Sequence, residues 1–365
     1  MTVHFVYATE PGGARGLAGQ LRRRAVAAAQ RRGLPVNLFR RRDAVDVSGW
    51  PERAPVTITA RLYQALRARG TTLLYDWTER VPVAAGPGDV LVGHPFPGDD
   101  ARVWNRACLE GNAGVRIALL PLSHRMAEAN AFLDPFVPGL DAILGIMGPY
   151  WRDTWRQGPF AHWADKLIPV DMAIDVARFP RVKTSFNPPG RRTFVYLGGE
   201  GPQKGTHLLS ILFGLARRHR CVWIGAGRRI PNVECRGFAE LTPDSVRRLA
   251  EECDVFLTMG VSDANPTTIL EAMAWGFPVC CTPESGYHHM PELVSLSTTD
   301  MAHNLLALDR MQDAPEATLH AQADAARRRV ETDFGWDRFL ATVLGGIERA
   351  ERAKGISPWG RSPAP

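Results

Sequence analysis

The run Val255-Phe256-Leu257-Thr258-Met259-Gly260-Val261-Ser262-Asp263-Ala264-Asn265-Pro266-Thr267-Thr268-Ile269-Leu270-Glu271-Ala272-Met273-Ala274-Trp275-Gly276-Phe277-Pro278-Val279-Cys280-Cys281-Thr282 holds two apolar segments separated by a polar loop and a helical stretch. Val255–Met259 is short, apolar and closed by Gly260, the pattern of a strand buried on both faces. Thr267–Ala274 carries good helix formers behind Pro266, and Pro278–Thr282 is a second apolar run. Strand, helix and strand in that order imply a parallel sheet covered by helices.

The same alternation extends outward in both directions. Strands are expected at Val3–Ala8, Val36–Phe39, Thr71–Tyr75, Asp89–Gly93, Arg116–Leu120 and Ala142–Met147, with a helix at Ala60–Ala68. Leu17, Leu21, Ala25 and Ala28 recur at helical spacing after the Gly-rich turn Glu10–Gly16. Phe179-Pro180 and Asn187-Pro188-Pro189-Gly190 then interrupt the pattern. It restarts with strands at Thr193–Leu197 and Cys221–Ile224 and helices at Thr206–Arg217 and Asp244–Glu252, the latter with Thr242 as N-cap and Pro243 at N1. The expected fold class is α/β, with two doubly wound, Rossmann-like domains facing across a cleft. Residues 1–175 form the first, 176–191 a linker, 192–335 the second and 336–355 a terminal helix, with a disordered tail at 356–365. Ligands in such sheets bind beyond the carboxyl ends of the strands, so the cleft is the expected site.

Composition narrows the class. The chain has 365 residues, enough for two domains, with 45% hydrophobic and 22% charged residues. No run approaches the roughly 18 apolar residues of a membrane span, and no basic segment precedes an apolar run at the start. The six cysteines form no C-x-x-C pair, which argues against a zinc finger or disulfide framework and for a reducing cytoplasm. Net charge is +6, and only Lys166, Lys183, Lys204 and Lys354 are lysines. Residues 1–42 carry nine arginines against Glu10, a local charge of +8. That basic stretch reads either as a solvated helix face or as a patch for an anionic membrane surface. No nucleic-acid motif accompanies it, so no nucleic-acid partner is expected.

Candidate chemistry gathers at strand ends. Asn265, Pro266, Thr267 and Thr268 lead into a helix whose free N–H groups suit a phosphate. Asp263 precedes that helix and Glu271 lies about one turn inside it. They are either two acids meeting two ends of one ligand, or an ordinary loop acid and an ordinary helix glutamate. Gly198-Gly199-Glu200-Gly201-Pro202-Gln203-Lys204-Gly205 follows a strand and precedes a helix, and a point cation beside a Gly-rich turn suits a diphosphate. His94, with Asp99 shortly after it, and His124 follow first-domain strands, as cleft groups or as satisfied structural histidines.

The segment Asp263–Val279, ending Gly276-Phe277-Pro278-Val279, resembles the E-x7-E signature of retaining GT-B glycosyltransferases of the group 1, family 4 class, with Asp263 in place of the first Glu. The resemblance covers most of residues 1–350. It implies that Asp263 faces the donor sugar and Glu271 the ribose hydroxyls. Lys204 and Gly205 resemble the family's diphosphate loop, in which the matching arginine position is here Gly199; Arg15 or Arg228 is the candidate substitute. Gly12 and Gly13 resemble the Gly-rich loop after the first strand. His124 takes the sugar-contacting position and His94 the acceptor side, with Asp99. Glu284, Ser285 and Gly286 resemble the donor-sugar loop. Phe334-Gly335-Trp336 and the helix after them resemble the family's ending, which crosses back onto the first domain. The implied activity is transfer of a hexosyl-type sugar from a nucleoside diphosphate sugar to a glycan or lipid-linked acceptor in cell-surface polysaccharide synthesis. Asp263, His124 and Lys204 would be catalytic. The chain contains no Asp-x-Asp triplet, so neither a metal nor a cofactor beyond the nucleotide-sugar substrate is expected. The alternative is a non-catalytic nucleotide-sugar-binding partner, motivated by Gly199 and Asp263. The expected location is cytoplasmic, peripheral on the inner membrane face.

Overall fold

The computed structural model describes residues 1–9, 43–51, 54–125, 127–239 and 241–356. Two six-stranded sheets organise them. The first has the order β2-β1-β3-β4-β5-β6 and the second β12-β11-β10-β7-β8-β9. Every pairing is parallel. The strands of the first are β1 (Val3–Tyr7), β2 (Thr72–Asp76), β3 (Val90–Gly93), β4 (Val115–Pro121), β5 (Ala142–Ile146) and β6 (Leu167–Val170). Those of the second are β7 (Thr193–Leu197), β8 (Arg220–Ile224), β9 (Val233–Cys235), β10 (Val255–Thr258), β11 (Val279–Cys281) and β12 (Val294–Ser295). β1, β5 and β7 are buried along their whole length, as strands covered by helices on both faces must be.

Strand order reverses between β1 and β3 in the first sheet and between β7 and β10 in the second. A reversal sends the two connections to opposite faces and leaves a crevice at the strand ends, where ligands collect. The loops after β3, β7 and β10 therefore occupy the positions with most room for a ligand.

Most segments expected from apolar runs form within a residue or two of their predicted bounds. The helix expected at 60–68 begins earlier, as α1 (Val56–Arg67), because buried Thr57 and Thr59 extend its packed face. The strand expected at Val36–Phe39 lies outside the described residues. β6, β9 and β12 are additional. β6 is a partly buried edge strand containing Pro169, and the other two have three and two residues, too short for a periodic signal. Helices α2 (Val103–Glu110), α3 (Pro149–Thr154), α4 (Thr206–Leu215), α5 (Pro243–Glu252), α6 (Thr267–Trp275), α7 (Met301–Asp313), α8 (Glu316–Asp333) and α9 (Trp336–Ala353) complete the layers. Thr242 caps α5 by accepting from the Ser245 amide.

Two features anchor the segments outside the sheets. Lys183, in the segment between the sheets, is buried against Asp254 at 2.9 Å; that carboxylate also accepts from the Asn187 and Thr193 amides. α9 lies on the first sheet. A Cβ on its Gly346 would touch Leu144 and Ile168, and Glu348 and Lys354 pair with Arg69 and Asp141.

Candidate functional site

The two loops at the second sheet's reversal are bound to each other. The Gln203 carbonyl accepts from the amides of Val261 and Ser262 at 3.0 and 3.2 Å. Gly205 caps α4 in the left-handed region, φ +64°, against the Met259 carbonyl, where a Cβ would come within 1.8 Å. Only glycine allows that approach. The turn delivers Lys204 Nζ to within 2.6 Å of Asp263 Oδ2. The lysine is 30% and the aspartate 13% exposed, so a charge pair stands at the reversal point with water on one side.

α6 starts beside it. Pro266 occupies the N-cap position with no side-chain cap, which leaves the first amides of Thr267 and Thr268 without intrahelical partners. Asn265 accepts through Oδ1 from the Tyr287 hydroxyl, while its buried Nδ2 has no partner among the described residues. Glu271 is one turn further on. Burial pushes its carboxyl up to about 7, partly offset by a hydrogen bond from Thr267. It lines a small cavity with Thr57, Ala173 and Trp336, where the second domain meets the first.

His124 and His94 behave differently. His124 Nε2 is 2.7 Å from Thr154 Oγ1, and its ring stands edge-on to Trp151 at 5.0 Å. Burial lowers its pKa, with a smaller contribution from Arg125 in the same direction. His94 follows β3 at the other reversal point, bonded through Nδ1 to its neighbour Pro95 and edge-on to Trp77 and Tyr7. Desolvation in that aromatic setting brings its pKa down to about 4, so the ring is neutral at pH 7.

Three side chains expected to face ligand are already engaged. Asp99 pairs with Arg80 at 2.6 Å and Arg102 at 2.9 Å. The Glu284 carboxylate turns to Arg125 at 2.7 Å and accepts from Thr298 at 3.0 Å, leaving its carbonyl to accept the Asp263 amide. The Ser285 hydroxyl is buried against Thr282 at 3.0 Å. In each case a nearer partner satisfies a group that would otherwise be costly to desolvate. Gly12, Gly13 and Arg15 lie outside the described residues. Arg228 is 92% exposed and pairs with Glu200 at 3.2 Å, in the loop that contains Gly199. Among the described residues no group of three or more His, Cys, Asp or Glu side chains is placed to hold a metal ion. None of the described helices is long and apolar enough to cross a membrane.

Several contacts at the cleft had no counterpart in the sequence reading. Ser123 Oγ donates to the Ser262 carbonyl at 3.0 Å and lies 2.8 Å from its hydroxyl. Trp151 Nε1 donates to the Asp263 carbonyl at 2.6 Å. The amides of Gly148 and Tyr150 donate to the carbonyls of Ala264 and Gly286 at 2.9 and 3.1 Å. The available signal was Gly148-Pro149 directly after the β5 run. A glycine at a strand end with proline at N1 marks the start of a helix at the sheet's carboxyl edge.

No protein-family profile matches the chain, and a comparison with curated sequences finds no match. Solved structures do resemble it. Anabaena Alr3699/HepE in complex with UDP superposes with a TM-score of 0.54 at 12% identity, over 96% of this chain and 100% of that one. The lipopolysaccharide outer core galactosyltransferase WaaB gives 0.52 at 13%, over 94% and 99%. TarM, known from S. aureus, gives 0.54 at 9%, over 80% of this chain, which spans only 58% of that protein's length. At these identities the likeness is one of fold, and the fold is that of the GT-B glycosyltransferases.

Proposed function

We propose that this chain is a retaining GT-B glycosyltransferase that moves a hexosyl-type sugar from a nucleoside diphosphate sugar to a glycan or lipid-linked acceptor. The observation that carries the reading is the Lys204–Asp263 pair at the strand-order reversal, between the first turns of α4 and α6. A cation beside a helix start whose first amides, those of Thr267 and Thr268, have no intrahelical partner suits a diphosphate. The HepE and TarM structures, which contain UDP, are consistent with that donor class. In this reading Lys204 and the amides of Thr267 and Thr268 take the charge that develops on the leaving diphosphate, without a divalent metal. Asp263, released from Lys204, faces the sugar, and Glu271 accepts from the ribose hydroxyls. The C1–O bond to the diphosphate breaks, the acceptor oxygen bonds to C1 on the same face, and the acceptor proton passes to the departing phosphate oxygen. In the same reading His124 contacts the transferred sugar and His94 serves the acceptor side, both from the first domain. The basic segment 1–42 would hold the enzyme on the anionic inner face of a membrane, in surface-glycan synthesis.

A thermal-shift panel of UDP, GDP, ADP, CMP and their sugar conjugates tests the donor half. A ligand at about 100 times its Kd adds roughly 2.7 kcal/mol to stability, a shift of several degrees. One nucleotide diphosphate class raising the midpoint supports the reading. No shift with any of them, in a folded sample, overturns it. Binding without release of nucleotide when acceptors are supplied identifies a non-catalytic nucleotide-sugar-binding protein instead.

A further inference from the structure

We propose that Trp151 is a positioning residue for the site across the cleft: its indole N–H holds the Asp263 main chain, and so aligns the Lys204–Asp263 pair, only while the two domains are closed. The inference takes the role of the site from the glycosyltransferase reading, and takes the way the site is held from geometry alone.

Trp151 sits in the six-residue helix α3, at the end of β5 in the first sheet. Several polar groups of this short helix are paired outside it. The amides of Gly148 and Tyr150, which have no partner within the helix, donate to Ala264 and Gly286 of the second domain. Asp153 pairs with His288 of the second domain at 2.9 Å, and Thr154 bonds His124. Trp151 itself is fully buried. One edge meets the His124 ring at 5.0 Å, and its N–H reaches the Asp263 carbonyl at 2.6 Å.

A buried indole N–H is only a donor and requires an acceptor. That acceptor belongs to the other domain, so the bond exists only in the closed form. The Asp263 peptide is then gripped from both sides, its amide by the Glu284 carbonyl and its carbonyl by Trp151. Without the indole it keeps one tether, and its carboxylate loses a fixed bearing on Lys204. A residue that merely filled the first-domain core would be replaced adequately by phenylalanine; a donor to Asp263 would not. The backbone contact next to it provides an independent handle. A Cβ on Gly148 would come within 2.0 Å of the Gly286 carbonyl oxygen, although φ there is −77° and any residue tolerates it. Alanine at 148 therefore holds the domains apart at this seam while leaving the indole intact.

The test uses W151F and G148A in the full chain, read in two ways. Hydrogen exchange of the unliganded protein reports the loop directly. Amides of Ser262–Asn265 exchange faster than in wild type in both variants, while those of Thr193–Leu197 do not change. With the donor found in the thermal panel, kcat falls on the order of 10²-fold, as for a reacting group displaced by about 1 Å. The donor KM stays within about threefold, since binding to the second domain is intact. Loop exchange and kcat both equal to wild type in the two variants would overturn the proposal. If W151F does not fold, G148A decides alone by the same criteria. If the wild type neither binds nucleotide nor turns over, the glycosyltransferase reading fails, and the exchange experiment still decides what holds Asp263.

Discussion

Replacing Glu271 by glutamine tests the cleft without requiring the acceptor. The carboxyl is pushed from an ordinary 4.5 to about 7, chiefly by burial beside Thr57, Ala173 and Trp336. Native structure therefore favours the protonated form. The associated stability is fully present below pH 4.5 and is lost as pH rises through 7. At 1.36 kcal/mol per pH unit, the shift corresponds to at most about 3 kcal/mol lost between pH 5 and 8. Glutamine keeps the shape and never ionises. Urea unfolding of both proteins at pH 5, 6, 7 and 8 should show E271Q gaining on wild type from near zero to about 2–3 kcal/mol. The same variant should bind nucleotide more weakly, by about tenfold for a lost pair of charge-assisted hydrogen bonds. Because the ionised carboxylate is the form that accepts from a ribose, wild-type binding should release protons near pH 6, visible as buffer-dependent binding heat. A stability difference that does not change with pH would show that Glu271 is not desolvated as described. Unchanged nucleotide affinity would remove it from the donor site.

Other expectations follow from the same geometry. Lys204→Ala should lower transfer on the order of 10²–10³-fold with the fold retained, measured as nucleotide release; activity within a few-fold of wild type would take the lysine out of the mechanism. Asp254→Ala leaves Lys183 buried and uncompensated and should cost about 3–5 kcal/mol by denaturant unfolding. A loss below 1 kcal/mol would mean that the pair does not anchor the inter-sheet segment. The ring of His94 should not titrate between pH 8 and 5.5, since it stays neutral down to about 4. Its stabilising contribution is present above pH 6.5 and is lost as pH falls toward 4, and a proton resonance shifting with a midpoint near 6.5 would refute its burial. If the nine arginines of residues 1–42 serve a membrane, the protein should sediment with anionic vesicles at low salt and leave them at high salt. Binding indifferent to salt would remove that role.

Local sequence determined a great deal here. Apolar runs too short to be buried helices, set between Gly-rich turns and helical stretches, specify buried parallel strands, because a strand covered on both faces has no polar side to show. Capping chemistry is equally local, which is why Thr242-Pro243 and Pro266-Thr267-Thr268 mark helix starts that the fold reproduces. The position of Lys204 and Asp263 after strands was legible for the same reason. What the sequence did not contain was each side chain's partner. Lys204 and Asp263 meet because strand order reverses between β7 and β10, a property of the whole sheet. Asp99 and Glu284 turned to arginines, since a partly buried carboxylate takes the cation that packing brings nearest. Nothing local in the sequence set Trp151 apart, and only the approach of two domains set an acceptor in front of its N–H. Periodicity and capping act over a few residues and can be read along the chain. Pairing across the cleft joins residues more than a hundred positions apart, and only the folded chain brings them within reach.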